Sequence, residues 1–342
     1  MRNEEGGAVG RLSVAFMTRW RKNGDDTTQM DVKWIFYAGL VAVAAVWGAN
    51  FGVSRHAMET FDPALFAFLR FGLAVPFFFL LLKWKEGGVG LPLKAVLQLA
   101  AIGLVGVTGL EIAVMYSIKY TTLANASLLN VAPWPIFAAL FAPLFVKESF
   151  TRRLAVGGTA AIVGVTFIIL GGEEGFDLSS DHMIGNMLAF GVSILGALYN
   201  LSCMSLMKRY SSLRVSAWMI MFGSLFMIPF TLGSWGKVDW SGLEAGHYAA
   251  IGYNVIACTV VAFVVWNASM FKIGAARSNF FRYVVPATAV VAGLLFFDES
   301  ISGWQIVGAV SMAAGLLWIS TEKKRGPTQG LTRMETREGA AP

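Results

Sequence analysis

The sequence is poor in charge, cysteine and histidine, and each shortage excludes a class of protein. Only 14% of its 342 residues are charged, while 56% are hydrophobic and the mean hydropathy is +0.61. A soluble domain carries about 25% charged residues. Two cysteines in apolar stretches exclude a disulfide framework and a zinc ribbon, and three histidines argue against a histidine-rich metal centre. The composition indicates a membrane protein, for which we expect no cofactor, no metal and no catalytic residues.

Apolar runs of about 20 residues alternate with short polar breaks from Trp34 onward, the length that crosses about 30 Å of hydrocarbon. Ten runs are predicted, at 34–54, 63–82, 95–116, 121–146, 154–171, 183–206, 213–233, 247–268, 275–297 and 303–320. Pro133, Pro135 and Pro143 interrupt the fourth run, so we expect it to face protein or a cavity that satisfies the freed carbonyl groups. The predicted fold class is an all-α polytopic membrane protein with ten transmembrane helices.

Lysine and arginine are distributed unevenly between the two sides of these runs. One side carries 22 of the 27 basic residues, while the other carries Arg55, Lys119 and Lys237. Because basic loops stay in the cytoplasm, the tails 1–33 and 321–342 are both predicted to be cytoplasmic, in a multi-pass protein of the cell membrane. This bias also accounts for the net charge of +6, so nucleic acid is not an expected partner.

An internal repeat divides the chain into two halves, 34–171 and 183–320. At an offset of 151, residues 124–168 align with 275–319 without a gap, and twelve of the 45 positions are identical. The shared residues include Pro135, Glu148, Ser149, Gly157 and Gly164, which align with Pro286, Glu299, Ser300, Gly308 and Gly315. Five runs are an odd number, so the second half enters the membrane from the opposite face. Such inverted repeats are typical of secondary transporters whose substrate site lies between the halves.

Short motifs add a family resemblance. The first run contains Trp47-Gly48-Ala49-Asn50-Phe51, the second contains Phe68-Leu69-Arg70-Phe71, and each half ends in the repeated Pro, Glu, Gly, Gly pattern. Over residues 37–320 the chain resembles the drug/metabolite transporter superfamily, specifically proteins with two EamA-type repeats. The resemblance implies a ten-helix carrier that often exports amino acids or related metabolites, in a family that includes importers. The second half departs from the first because Gly223 stands near the position that matches Arg70.

Three charged residues lie within the predicted runs and are candidates for function, because a charge in hydrocarbon is costly. Glu111 could exchange a proton during transport or bind an ammonium group, and the alternative is a structural ion pair with Arg70 at a similar depth. Arg282 could hold a substrate carboxylate in bidentate geometry. Its alternative is snorkelling toward the headgroups or capping a neighbouring helix end.

Polar and aromatic residues within the runs form a second set of substrate-binding candidates. They are Trp47, Asn50, Tyr116, Asn130, Trp134, Tyr199, Asn200, Trp266, Asn267 and Tyr283. Aromatic rings with a polar edge and amide groups suit an uncharged or zwitterionic organic solute, although tryptophan and tyrosine also serve as interfacial anchors. Glu148 and Glu299 fall on opposite faces and are interpreted as turn and helix-start residues, and the repeated glycines as close helix contacts.

These features predict a secondary transporter that moves a small metabolite, such as an amino acid or a related amphiphilic or aromatic compound, by alternating access. Export is favoured over import. Uptake, or drug efflux by the same fold, is left open, whereas sparse histidine and a lone buried carboxyl argue against a membrane-embedded enzyme. The expected partners are a small-molecule substrate and the lipid bilayer. Two complete halves in one chain favour a functional monomer and leave a dimer open.

Overall fold

The structure, a computed structural model, describes residues 26–145, 152–171, 180–207, 209–273 and 281–320. Throughout these ranges the regular elements are helical, and none of the described residues forms a strand. The helices are α1 (Asp26–Ala57), α2 (Pro63–Glu86), α3 (Leu93–Tyr120), α4 (Leu123–Val131), α5 (Trp134–Phe145), α6 (Arg152–Leu170), α7 (Asp181–Met207), α8 (Ser212–Thr231), α9 (245–273), α10 (Val284–Phe296) and α11 (Gly303–Ser320).

Length and hydropathy make the chain a multi-pass membrane protein. Within the described ranges, seven helical segments are long and apolar enough to cross a membrane: Trp34–Ala57, Pro63–Glu86, Leu93–Tyr120, Leu123–Phe141, Asp181–Cys203, Ser212–Thr231 and Ala245–Trp266. Ala155–Ile168 and Phe281–Phe296 are shorter apolar helices. The helix α1 begins at Asp26, before the first predicted run, because a helix satisfies its own backbone and need not end where its apolar residues end.

The predicted fourth run is two helices separated at Ala132 and Pro133. All nine residues of α4 are buried. The carbonyl of Ala132, at the break, accepts a hydrogen bond from the hydroxyl of Tyr283 at 3.1 Å. The expected protein environment of this run is therefore present, since a residue from the other half satisfies a backbone group at the break.

Each half contains a π-helical stretch at the equivalent place. Residues Leu104–Gly109 of α3 and Tyr253–Val261 of α9 have this conformation, and the offset of 151 aligns Thr108 with Thr259. The Thr259 hydroxyl donates to the carbonyl of Asn254 at 2.8 Å, five residues earlier in the chain. A π-helical turn in the same place in both halves indicates that the repeat extends beyond the aligned segment.

The helices α6 and α11 are equivalent in the repeat, and they pack against each other in antiparallel directions. A Cβ atom on Gly164 would lie 2.6 Å from the carbonyl oxygen of Gly308, and one on Gly315 would lie 2.8 Å from that of Gly157. The repeat converts each of these two contacts into the other, because Gly157 aligns with Gly308 and Gly164 aligns with Gly315. The Ser311 hydroxyl donates to the carbonyl of its own repeat equivalent, Ala160, at 2.9 Å.

A second pair of contacts, between other helices of the two halves, is also related by the repeat. At Gly48 of α1 the backbone of Val285 approaches closely, and at Gly196 of α7 the ring of Trp134 does so. Val285 is the repeat equivalent of Trp134, and α7 is the equivalent of α1. When the repeat maps one contact between the halves onto another in this way, the two halves are related by a pseudo-two-fold axis. Antiparallel equivalent helices make that repeat an inverted one.

The glycine contact between α6 and α11 generates a stability prediction. Gly164→Ala should lower the free energy of unfolding by about 1–3 kcal/mol, because the added methyl group meets a backbone carbonyl that cannot move independently. Gly158→Ala on the same helix is the matched control, since its Cβ would lie 3.6 Å from Leu140, an ordinary contact. Thermal unfolding of both variants in detergent measures the difference. Equal melting temperatures for the two variants would contradict the close packing.

Candidate functional site

Three predicted aromatic residues and one arginine converge between the halves. The guanidinium carbon of Arg282 lies over the ring of Trp134, 4.7 Å from its centroid, and over the ring of Trp266 at 5.4 Å. The ring centroids of Trp266 and Trp47 are 5.0 Å apart. Trp47 is fixed in turn, because its indole nitrogen donates to the carbonyl of Cys258 in the π-helical part of α9 at 2.9 Å. We call these four residues the central cluster.

Interruptions in the helices place the members of the central cluster side by side. Trp134 is the first residue of α5, directly after the break at Pro133. Arg282 belongs to the short 3-10 turn Phe281–Tyr283, directly before α10. Because the Tyr283 hydroxyl bonds to the carbonyl of Ala132, the two interruptions meet. The side chains that follow them therefore face each other across the two halves.

Tyr199 of α7 connects the central cluster to the acidic candidate. Its ring packs against Gly106 in the π-helical part of α3. The phenol is close enough to both Glu111 and Arg282 to interact with their charges. The structure thus brings the two oppositely charged candidates to the surroundings of one tyrosine, which their separation in the sequence did not establish.

Arg70 and Glu111 form an ion pair, with 3.3 Å between Arg70 Nη1 and Glu111 Oε2. Arg70 Nε also donates to the Thr259 hydroxyl at 3.2 Å, and its guanidinium carbon lies 4.7 Å from the Phe71 ring centroid. The pair therefore ties α2 to α3 and to the π-helical part of α9. Near the equivalent place in the second half, the Thr108 hydroxyl donates to the carbonyl of Gly223 at 2.8 Å, so a backbone contact replaces the arginine.

The remaining candidates make other contacts or have side chains outside the described residues. The ring of Tyr116 stacks on Tyr120 near the end of α3, with centroids 5.8 Å apart. Asn130 is buried in α4. Asn50 is 6% exposed, and its side-chain oxygen has no hydrogen-bond partner among the described residues. The side chain of Asn267 lies outside the described residues, as does the segment 146–151 that contains Glu148 and Ser149.

The interpretation of Glu299 as a helix-start residue needs correction, because it caps a helix of the other half. Its carboxylate accepts from the backbone nitrogen of Leu123 at 2.7 and 2.9 Å and from that of Ala124 at 3.4 Å, at the beginning of α4. The following helix, α11, is capped by Ser302, which exchanges hydrogen bonds with Gln305. The sequence could identify the repeated glutamate but not the helix that it reaches.

Arg55 is the functional candidate that the sequence reasoning missed. Its Nη1 atom pairs with Glu299 Oε1 at 2.9 Å, and its other nitrogens donate to the carbonyls of Ile118 and Thr121. The turn that presents Glu299 includes Asp298 with a φ of 51°, a left-handed conformation that aspartate tolerates. We call the Arg55–Glu299 pair with the start of α4 the latch. Arg55 was visible only as one of the few basic residues on its side.

Buried amides support the same end of α4. The side-chain oxygen of Asn186 accepts from Thr121 at 2.8 Å and from Asn125 at 3.1 Å. Gln305 donates to the Asn125 oxygen at 2.6 Å. These bonds join α4 to α7 and α11 in addition to the latch. Buried polar networks of this kind hold one geometry, because breaking any bond leaves another group unsatisfied.

Two cavities lie beside the central cluster rather than in it. One, of about 560 Å³, is lined by apolar residues of α1 and by Phe281, the neighbour of Arg282. The other, of about 410 Å³, lies between α2, α8 and α9 and includes Lys85 and Glu86 in its lining. Neither lining includes Arg282, Trp134 or Glu111.

Comparisons with known proteins match most of the chain to transporters. The sequence model of the EamA-like transporter family matches residues 32–170 and 183–321. Similar proteins include the uncharacterized transporter YetK of Bacillus subtilis, 27% identical over 85% of this chain and 88% of its own. An uncharacterized transporter of Archaeoglobus fulgidus is 28% identical over 83% of this chain and 96% of its own.

Another relative carries a more specific name. A protein of Streptantibioticus cattleyicolor called a probable terminal-alkyne amino-acid exporter is 23% identical over 82% of this chain and 92% of its own. One solved crystal structure aligns with a TM-score of 0.59 and 15% identity, over 86% of this chain and 99% of that chain, which shows a shared fold. The family match covers both halves of the repeat, and the chain therefore belongs to the EamA-like transporter family.

Proposed function

We propose that this protein is a secondary carrier that exports a small amphiphilic metabolite by alternating access to the central cluster. The observation that carries the proposal is the exchange of contacts between the halves, in which Gly164–Gly308 and Gly157–Gly315 are equivalent. Two equivalent halves can exchange conformations, so one packing arrangement yields both an inward-facing and an outward-facing state. The central cluster lies where the halves meet, which is where a carrier of this architecture binds its cargo.

In this proposal the chain crosses the cell membrane ten times with both termini in the cytoplasm. The basic ends of α2 and α8 then lie on the cytoplasmic side, where Arg214 pairs with Glu86 at 2.9 Å. The latch lies on the opposite side, at the end of α1. Ion pairs that join different helices at the two faces suit a carrier that opens one face at a time, since each pair stabilises a closed face.

The chemistry of the site favours an amino acid or a related aromatic compound as cargo. The indole rings of Trp47, Trp134 and Trp266 provide apolar area, while Arg282 and Tyr199 provide charge and polarity. The name of the Streptantibioticus relative, an amino-acid exporter, supports this class and the export direction. We propose that Glu111 couples the flux to protons by alternating between its pair with Arg70 and a protonated form.

Reconstitution into proteoliposomes tests the carrier and its coupling. We expect saturable flux of one class from a labelled panel of amino acids, nucleosides and cationic drugs, and stimulation of that flux by an imposed pH gradient. Glu111→Gln should abolish the stimulation, because glutamine cannot exchange a proton. Glu59→Gln, which removes an exposed carboxylate, is the control. Absence of flux for the whole panel would reject the substrate classes, and an unchanged pH dependence in Glu111→Gln would reject the coupling.

The latch generates a separate prediction about access. Glu299→Gln should open the outer face, because Arg55 loses its charged partner and α4 loses a charged cap. The measurement is the labelling rate of a cysteine at the buried position Ser54 by a membrane-impermeant thiol reagent, with Cys203 and Cys258 replaced by alanine. We expect a several-fold increase over the control Glu59→Gln, which leaves the latch intact. Equal labelling in the two variants would show that the pair does not hold this face closed.

A further inference from the structure

Arg282 is a half-buried cation without a carboxylate partner among the described residues. The ion pairs in that part of the chain join Arg55 to Glu299, His56 to Glu59, Arg70 to Glu111 and Arg214 to Glu86. Arg282 belongs to none of them, and its buried Nε has no hydrogen-bond partner there. A buried cation that lacks a counter-charge is costly, so intramembrane arginines normally pair with an acid or with carbonyl groups.

The described residues around Arg282 shield the cation but do not neutralise it. The rings of Trp134 and Trp266 attract the guanidinium through their faces, yet they offer no acceptor for its N–H groups. No helix end among the described residues accepts a hydrogen bond from Arg282, which argues against the capping role considered from the sequence. The Nε–H group therefore has no acceptor among the described residues and is available to a ligand.

A second unsatisfied donor lies beside the first. The indole Nε1 of Trp134 is buried and has no hydrogen-bond partner among the described residues, although its ring contacts Arg282. Two neighbouring buried donors, Arg282 Nε and Trp134 Nε1, that lack an acceptor in the described ranges form a site for an anion with at least two oxygens. A carboxylate fits, because a guanidinium binds it in a bidentate manner and the indole supplies a further donor. The start of α10 directly after Arg282 adds the positive end of a helix dipole.

The acidic candidate is already committed to another cation. Glu111 pairs with Arg70, so the two charges cancel and the surplus charge of the site is that of Arg282. Within the described part of the chain, a ligand amine therefore finds no free carboxylate here, whereas a ligand carboxylate finds an arginine without an acidic partner. Apolar area for the body of the ligand is provided by the rings of Trp47 and Trp266.

We infer that Arg282 and Trp134 bind the carboxylate of the substrate, and that the carrier selects carboxylates with an apolar or aromatic body whether or not they carry an amine. The inference rests on the proposed carrier function and specifies its substrate class. Carboxylate recognition determines affinity, and an ammonium group on the ligand is dispensable.

Matched ligands distinguish how much the carboxylate and the ammonium group of an amino acid each contribute to binding. The probes are phenylalanine, 3-phenylpropionate, phenylalanine amide and phenethylamine, with leucine, 4-methylpentanoate, leucine amide and isopentylamine as the aliphatic set. Binding to the full chain in nanodiscs is followed by tryptophan fluorescence, and each compound is also tested as a competitor of flux in proteoliposomes. We expect both carboxylates of at least one set to bind and compete, and the amides and amines to fail.

Variants of Arg282 and Trp134 test whether these two donors bind the carboxylate. Arg282→Gln should raise the Kd of the carboxylates about tenfold or more, because a charge-assisted hydrogen bond is lost. Arg282→Lys should retain part of the affinity, and Trp134→Phe, which keeps a ring but removes the N–H, should weaken carboxylates by a smaller factor. Lys119→Gln is the matched control, since it removes a cation that lies over the ring of Tyr120.

The outcomes distinguish this inference from the carrier proposal. Amines that bind as tightly as their carboxylate counterparts, or unchanged carboxylate affinity in both Arg282→Gln and Trp134→Phe, would overturn the inference. So would a lack of binding by every carboxylate in both sets. In each of these cases the carrier proposal still stands if the labelled panel shows saturable flux, whereas absence of flux for the whole panel would reject the proposed substrate classes. If Arg282→Gln does not fold, Arg282→Lys and Trp134→Phe carry the test.

Discussion

The close backbone contact between α6 and α11 is the constraint on which the rest of the structure depends. Carbonyl oxygens of Gly157 and Gly308 occupy the space that a side chain on Gly315 or Gly164 would fill. In a membrane, such contacts between small residues replace the hydrophobic effect as the source of helix association. Because equivalent helices meet here in antiparallel directions, the contact fits a pseudo-two-fold relation between the halves, which the contacts of Gly48 with Val285 and of Gly196 with Trp134 also follow.

Polar groups at the axis satisfy the backbone where the helices are interrupted. Tyr283 reaches the carbonyl of Ala132, its own repeat equivalent, and thereby stabilises the break before α5. The same bond brings Arg282 next to Trp134. A helix interruption within the hydrocarbon region is tolerated only where protein groups form hydrogen bonds to the freed backbone groups. The Tyr283–Ala132 bond that meets this requirement therefore also determines where the site lies.

The charges depart from the symmetry of the scaffold. Arg70 lies near the equivalent of Gly223, and the repeat offset pairs Glu111 with Ala262 and Arg282 with Val131. The backbone of the two halves is thus alike, including the π-helical stretches, whereas Arg70, Glu111 and Arg282 each have an uncharged residue at or near the equivalent position. A symmetric scaffold permits exchange between two states, and asymmetric charges give the site a defined chemistry.

Much of the fold followed from the linear order of residues. Apolar runs of membrane-spanning length, the bias of basic residues and the 151-residue offset predicted an all-helical membrane protein of two related halves, and the family match agrees. The break at Pro133 was also visible, because proline removes a backbone donor. Periodicity and composition are local properties, so they carry this information without contacts between distant residues.

The sequence by itself determined which residues are exceptional in a membrane, including Arg70, Glu111 and Arg282. Only the tertiary structure decided their partners: Glu111 pairs with Arg70, Glu299 reaches Arg55 and the start of α4, and Arg282 lies over two indole rings. The cost of placing a charge in hydrocarbon depends on the residue type and its depth, both of which can be read along the chain. The partner of each charged residue depends on packing between helices that are far apart in the chain, and no local pattern in a single sequence encodes that packing.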